Sequence, residues 1–285
     1  MMQEQLKKYL EILDAAEDYL TGGWPKEREE LPEEQLSLGD PGGIGQEKMP
    51  GGDRAGGVNM RSGEADSGLN DHFELIPGGS RPEADDGTTA AEEESWKSDT
   101  LDSIAAEVRD CRKCRLSEGR RNAVPGEGSL HPKVMIIGEA PGAQEDASGH
   151  PFVGRAGQYL DKWLQAIGLE RDRDVFIGNI IKCRPPDNRD PFPDESSACM
   201  PYLKRQIRII RPKTILTLGR ISTHILTGTT EGIGKLHGKV FRFQGVPLVP
   251  TYHPSGVLRN PVYRKPVWDD LRVLKRIIEE QEGKG

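Results

Sequence analysis

Four short runs of aliphatic and β-branched residues, at 134–137, 175–181, 214–218 and 248–252, set the strongest limit on the fold. The segments between them keep a different period. Cys199, Leu203, Ile207 and Ile210 recur at steps of four, four and three, and Val267, Leu271, Leu274 and Ile278 form a similar stripe near the end of the chain. Short apolar runs alternating with helix-period segments predict an α/β domain around a short, mainly parallel four-stranded sheet. Ligands of such sheets gather beyond the carboxyl ends of the strands, so the residues that follow each run carry the functional information.

The first hundred residues have a different character. They hold 24 Asp and Glu against 9 Lys and Arg, a net of −15, whereas the rest of the 285-residue chain carries a net of +8. Leu6, Leu10, Leu13 and Leu20 share roughly one face of a helix expected over 3–20, which Gly22, Gly23 and Pro25 end. Such a helix suits docking on the main domain or binding a separate partner. From residue 36 to 100, glycine pairs recur among Pro, Ser, Asp and Glu with almost no aliphatic periodicity, which predicts a disordered acidic linker. The expected organisation is an amphipathic segment over 1–35, a linker over 36–100 and a globular domain over 101–285. No apolar run approaches the roughly 18 residues of a membrane span. The start of the sequence lacks a basic stretch followed by an apolar core, and four cysteines are too few for a disulfide scaffold. A cytoplasmic monomer with reduced thiols and no membrane partner is expected.

After the first run come Gly138-Glu139-Ala140-Pro141-Gly142 and then Glu145-Asp146. Small residues here let backbone approach a ligand, or simply make a tight strand exit. The spacing matches neither a P-loop nor a dinucleotide fingerprint. Phe152 stands among small residues in His150-Pro151-Phe152-Val153-Gly154, where its face could stack on a base or join a local core. The second run ends near Asn179, whose carboxamide offers an acceptor and two donors suited to a nucleobase edge or to ordinary backbone bonding. His253 precedes Pro254 and is therefore held extended at the end of the fourth run, as a catalytic or a structural side chain.

The cysteines are more specific. Cys111 and Cys114 form a C-x2-C pair, and Cys183 and Cys199 follow at long intervals. Two thiolates from the pair and two from distant positions can share a metal centre. A second C-x2-C knuckle is absent, which favours an iron–sulfur cluster over a zinc ribbon; zinc and four unrelated buried thiols are the alternatives.

Together, the Cys pair, the Gly-Glu-Ala-Pro-Gly turn, Pro151-Phe152-Val153-Gly154, the stretch from Asn179 to Asn188-Arg189, and His253-Pro254-Ser255 resemble the family 4 uracil-DNA glycosylases. The resemblance runs from about residue 104 to residue 278 and leaves the first hundred residues outside it. It implies a three-layer α/β/α fold, a 4Fe–4S cluster on Cys111, Cys114, Cys183 and Cys199, and removal of uracil from single- or double-stranded DNA. By position, Phe152 would stack on the everted uracil, Asn179 would read its edge and His253 would contact its oxygen. The turn at Gly138, Glu139 and Ala140 would face base and sugar. Arg184, Arg189 and Ser255 would meet the DNA.

In the best-known branch of that superfamily an Asp stands at the position of Ala140 and a Tyr at that of Gly142. Water activation therefore does not transfer directly, and Glu139 is the candidate for it; exclusion of thymine needs another source. A basic loop ending in His before His253, as in the covalently trapping relatives, is absent. The rival reading from another class is a non-catalytic cluster-bearing DNA-binding protein on the same fold.

Overall fold

The computed structural model describes Thr89 and residues 94–283. The helix expected over 3–20 and nearly all of the expected linker lie outside the described residues. In chain order the elements that position the site are α1 (Leu101–Asp110), β1 (Glu127–Gly128), β2 (Val134–Gly138), α2 (Ala143–Ser148), α3 (Arg155–Ala166), β3 (Val175–Asn179) and α4 (Pro193–Ile210). They continue with β4 (Thr214–Leu218), α5 (Arg220–Thr227), β5 (Phe241–Phe243), β6 (Val246–Thr251), α6 (Pro254–Arg259) and α7 (Arg264–Glu282).

The four expected runs form the parallel centre, but the sheet has six strands, in the order β1-β3-β2-β4-β6-β5. The expectation of four is corrected by two antiparallel edges, β1 on β3 and β5 on β6. Glu127–Gly128 and Phe241–Phe243 are too short to leave an apolar run of their own, so tertiary pairing rather than local pattern makes them strands. The second run is also shorter than expected. Strand pairing stops at Asn179, after which the Ile180 and Ile181 N–H groups donate to the Gly138 and Glu139 carbonyls at 3.0 and 3.1 Å.

Alternation along the central strands feeds two cores. Met135, Ile137 and Ile215 pack with Ile104, Leu203 and Ile207 from α1 and α4. Val134, Ile136 and Leu216 pack on the other face with Leu160, Trp163, Leu271 and Leu274 from α3 and α7. The result is the expected three-layer α/β/α arrangement, each buried aliphatic side chain contributing about 1.5–3 kcal/mol. Because β3 lies on one side of β2, and β4 and β6 on the other, the chain leaves β2 and β4 in opposite directions. That divergence opens a crevice at the carboxyl ends of these strands. Among the described residues no helix is long and apolar enough to cross a membrane.

The folded body begins before residue 101. The Arg205 guanidinium of α4 forms bidentate pairs with Asp99 and with Glu107, at 2.6–2.7 Å. Thr100 caps α1: its Oγ1 accepts from the Ser103 N–H at 3.0 Å, while its own N–H donates to Ser103 Oγ at 2.9 Å. Composition hid this boundary because Asp99 reads as one more linker acid, whereas here it neutralises a largely buried arginine. Thr100→Ala is expected to lower stability by about 1 kcal/mol, a usual cap loss. Urea unfolding of the two proteins measures this, and an unchanged midpoint would remove the cap from the folded body.

Candidate functional site

β2 and β3 run in parallel register with Gly138 opposite Asn179, the last residue of each strand. Gly138 is where three functional groups meet. A Cβ built on it would lie 2.3 Å from Asn179 Oδ1 and 2.7 Å from Phe152 Cζ, so only glycine permits this approach. Asn179 is 1% exposed, and its Oδ1 has no hydrogen-bond partner among the described residues. An orphaned buried acceptor costs about 1–3 kcal/mol, and a ligand donor at that atom would remove the cost.

Phe152 is buried, with a φ of 52° that non-glycine residues seldom adopt. Neighbours hold it there. Arg171 donates to the carbonyls of Pro151 at 2.6 Å and Phe152 at 3.3 Å. Glu145 accepts from the N–H groups of Gly142, Val153 and Gly154 at 3.0–3.1 Å, joining the turn after β2 to the phenylalanine loop. Gly157 completes the seat, since a Cβ there would lie 1.7 Å from the Phe152 carbonyl oxygen. None of Glu145, Gly157 and Arg171 was singled out from sequence. Only Glu145 left a signal, an acid three residues after Gly142, where its side chain can accept from the cap N–H.

His253 caps α6, and its ring centroid lies 5.8 Å from that of Phe152 at an interplanar angle of 33°. The Ser255 N–H donates to His253 Nδ1 at 3.2 Å, and Ser255 Oγ lies 2.8 Å from the same nitrogen. An amide N–H can only donate, so Nδ1 is the acceptor and the neutral ring carries its proton on Nε2. Burial of the ring and the positive charge of Arg259 push the His253 pKa down to about 4, which keeps it neutral near pH 7. Glu139 is displaced the other way. Burial and the like charge of Asp190 raise it to about 7, against the opposing pull of Arg220. Arg220, at the start of α5, is itself paired with Asp190 at 2.7 Å.

The other expected residues take varied places. Ala140 packs its methyl against the α1/α4 core, leaving only its backbone for a ligand. Arg184 is half-buried and donates to Asn188 Oδ1 at 2.8 Å. Two residues expected at the DNA also have protein partners. Ser255 orients His253, and Arg189 pairs with both oxygens of the buried Glu195 at 2.7 and 2.8 Å while its guanidinium lies 3.8 Å over the Phe192 ring. That pairing holds the Glu195 carboxyl below its ordinary range. The sequence carried the basic residue but not its acidic neighbour in space.

The four cysteines come together. Cys111 follows α1, Cys114 begins the next turn, Cys183 follows β3 and Cys199 lies within α4, and all line one small cavity with Arg120, Lys182 and Tyr202. Its lining holds no histidine and no carboxylate, so the donor set is four soft thiols. Among the described residues no group of three or more such side chains stands close enough to hold a single ion. Arg120 Nη1 donates to Cys183 Sγ at 2.9 Å, and the same guanidinium bonds the carbonyls of Val108 and Cys111 at the end of α1. Burial raises both the Cys183 and Cys199 thiols, the latter to about 11. A metal would reverse that shift by taking the thiolate form.

Residues 125–272 match the family model of the uracil DNA glycosylase superfamily. The type-4 uracil-DNA glycosylase of Saccharolobus solfataricus is 50% identical over 192 residues, covering 64% of this chain and 88% of that protein. The type-4 uracil-DNA glycosylase of Archaeoglobus fulgidus is 38% identical over 192 residues, covering 65% and 96%. The type-5 uracil-DNA glycosylase of Pyrobaculum aerophilum is 34% identical over 149 residues, covering 46% and 65%. With its three-layer fold, its paired turns at Gly138 and His253 and its four gathered thiols, the chain belongs to the uracil-DNA glycosylase superfamily, on the type-4 branch.

Proposed function

We propose that this protein everts uracil from single- or double-stranded DNA and hydrolyses its N-glycosidic bond, leaving an abasic site. The observation that carries the assignment of residues is the buried, unpartnered Asn179 Oδ1, set in a slot whose floor is Gly138 and whose wall is Phe152. Uracil presents a donor at N3 beside an acceptor at O4, so Oδ1 receives the N3–H and Nδ2 donates to O4. Cytosine has the opposite order and would leave buried groups unpaired, which discriminates by about 10⁴-fold in favourable sites. Stacking on Phe152 returns about 1–3 kcal/mol of the cost of unstacking the base.

As the C1′–N1 bond breaks, its electron pair passes to the uracil ring and charge gathers at O2. The Nε2–H of neutral His253 donates to that oxygen, an interaction commonly worth about 2.7–4 kcal/mol. Water attacks C1′, and Glu139 in its carboxylate form takes the proton. The uracil anion then leaves the pocket. The raised Glu139 and depressed His253 support this division of roles, because near neutral pH the imidazole is neutral and about half of Glu139 is the carboxylate base.

Cys111, Cys114, Cys183 and Cys199 hold a 4Fe–4S cluster in this reading, supported by the all-thiol lining of their cavity. When bound, the cluster supplies four metal–thiolate bonds that tie the 111–114 segment to the 183–199 stretch. Arg184 is assigned to a phosphate of the DNA, and the net +8 beyond residue 100 supplies general attraction to the backbone. Arg189, locked on Glu195 and Phe192, stiffens the loop that carries it.

Three outcomes test these roles. Asn179→Asp places an acceptor-only carboxylate against the base, so kcat/KM on uracil should fall at least 100-fold and the preference over cytosine should shrink. Alkaline cleavage of labelled oligonucleotides carrying uracil, cytosine or thymine measures both, and full uracil-only activity would refute the assignment.

Glu139 must be ionised to accept a proton, so kcat should drop about tenfold per pH unit below its pKa near 7 and level off above it. Glu139→Gln should abolish that limb and lower kcat by about 10²–10⁴. A pH profile of the two proteins decides the matter, and a persisting limb in the variant would assign it to another group.

Cys199→Ser should lose iron, acid-labile sulfide and visible absorbance together, with a lower unfolding midpoint. Full retention of iron would remove Cys199 from the ligand set.

A further inference from the structure

Lys182 is 1% exposed, which is rare for a lysine, and stands between the two sites described above. Its Nζ donates to the Asn179 carbonyl at 2.9 Å and to Gln206 Oε1 on α4, also at 2.9 Å. Gln206 Nε2 in turn donates to the Pro125 carbonyl at 2.8 Å. The Lys182 backbone is equally committed. Its carbonyl accepts from the Val124 N–H at 2.7 Å. Its side chain also lines the cysteine cavity.

An ammonium taken out of water is costly unless compensated. Among the described residues no carboxylate accompanies Lys182; the titratable group that acts on it is the Cys199 thiol. A methionine would fill the same space without that cost, so what the amine holds must explain it. One of its two acceptors is the carbonyl of the residue whose carboxamide faces the base slot. The other acceptor, Gln206, lies on α4, the helix that carries Cys199.

We infer that Lys182 is a positioning residue that couples the cysteine cavity to Asn179. Its ammonium ties the end of β3 to Gln206 on α4, the helix that carries Cys199, so an occupied cavity fixes the depth at which the Asn179 carboxamide stands. This rests on the proposed reading, in which Asn179 meets uracil and the thiols hold a metal group. Coupling between two binding sites is reciprocal. Uracil bound against Asn179 therefore makes the cavity hold its contents more tightly, by the same factor.

The test uses the full-length, metal-loaded protein and a single-stranded oligonucleotide carrying one 2′-fluoro-2′-deoxyuridine, whose electron-poor sugar resists cleavage. The rate at which a chelator frees the four thiols is followed with a thiol-reactive dye, with and without saturating oligonucleotide. In the parent protein the oligonucleotide should slow release at least about fivefold, the lower end of ordinary coupling. In Lys182→Met the protection should fall below twofold and the oligonucleotide should bind at least fivefold more weakly. Gln206→Met keeps the ammonium on Asn179 but releases it from α4, and it should cut protection at least twofold even where Lys182→Met does not fold. A merely structural lysine would change both release rates together and leave their ratio intact. Parental protection in either variant overturns the coupling, as does a parent that binds the oligonucleotide without any protection. A parent that does not bind it overturns the base-slot reading, and the coupling with it.

Discussion

At Gly138 the backbone of β2 passes so close to Asn179 and Phe152 that a single added carbon would collide with both. The crevice depends on that contact. It lets a strand end, a carboxamide from the neighbouring strand and a ring from a loop share one small volume. The loop is strained at Phe152 and has to be over-determined to stay there, which explains the bonds from Arg171 and Glu145 and the bare backbone at Gly157. Rigidity on this scale suits a site that discriminates by hydrogen-bond pattern. An amide free to rotate would accept either pyrimidine order; one packed between a backbone and an aromatic edge meets far fewer options.

Desolvation acts on the two titrating groups with opposite results. It raises an acid and lowers a base, because in both cases the charged form loses water. Glu139 and His253 therefore move past one another on the pH scale, from their ordinary 4.5 and 6.5 to about 7 and about 4. One environment thus yields a carboxylate basic enough to take a proton near neutrality and an imidazole that stays neutral and donates from Nε2. The Asp190–Arg220 pair sits beside Glu139 and pushes it in both directions, so the net shift is set mainly by burial.

Much of this was legible from local pattern. The four aliphatic runs are the parallel strands, the two stripes are α4 and α7, and the thiols spaced irregularly along the chain do face one cavity. What stayed hidden is non-local. β1 and β5 become strands through partners far along the chain rather than through composition. Asp99 gains its meaning from Arg205, over a hundred residues away. The partners of Arg189 and Ser255, Glu195 and His253, were hidden as well, because residue type carries no information about the neighbour in space. Lys182 passed unnoticed for the same reason: in sequence it is one more base beside a cysteine.

The two centres lie in different layers, and this shapes how they can communicate. Cys183 and Cys199 belong to the core beneath α1 and α4, whereas Phe152 belongs to the core beneath α3 and α7. Asn179 is the last residue of a strand between those layers, and Cys183 follows only four residues later. So short a connection cannot absorb a displacement at one end without passing it to the other. The chain spends it on two buried isoleucines, whose N–H groups are bonded to Gly138 and Glu139, and on a buried lysine bonded back to Asn179. Fixing the thiols is in this way a physical means of fixing the strand end that carries the Asn179 carboxamide.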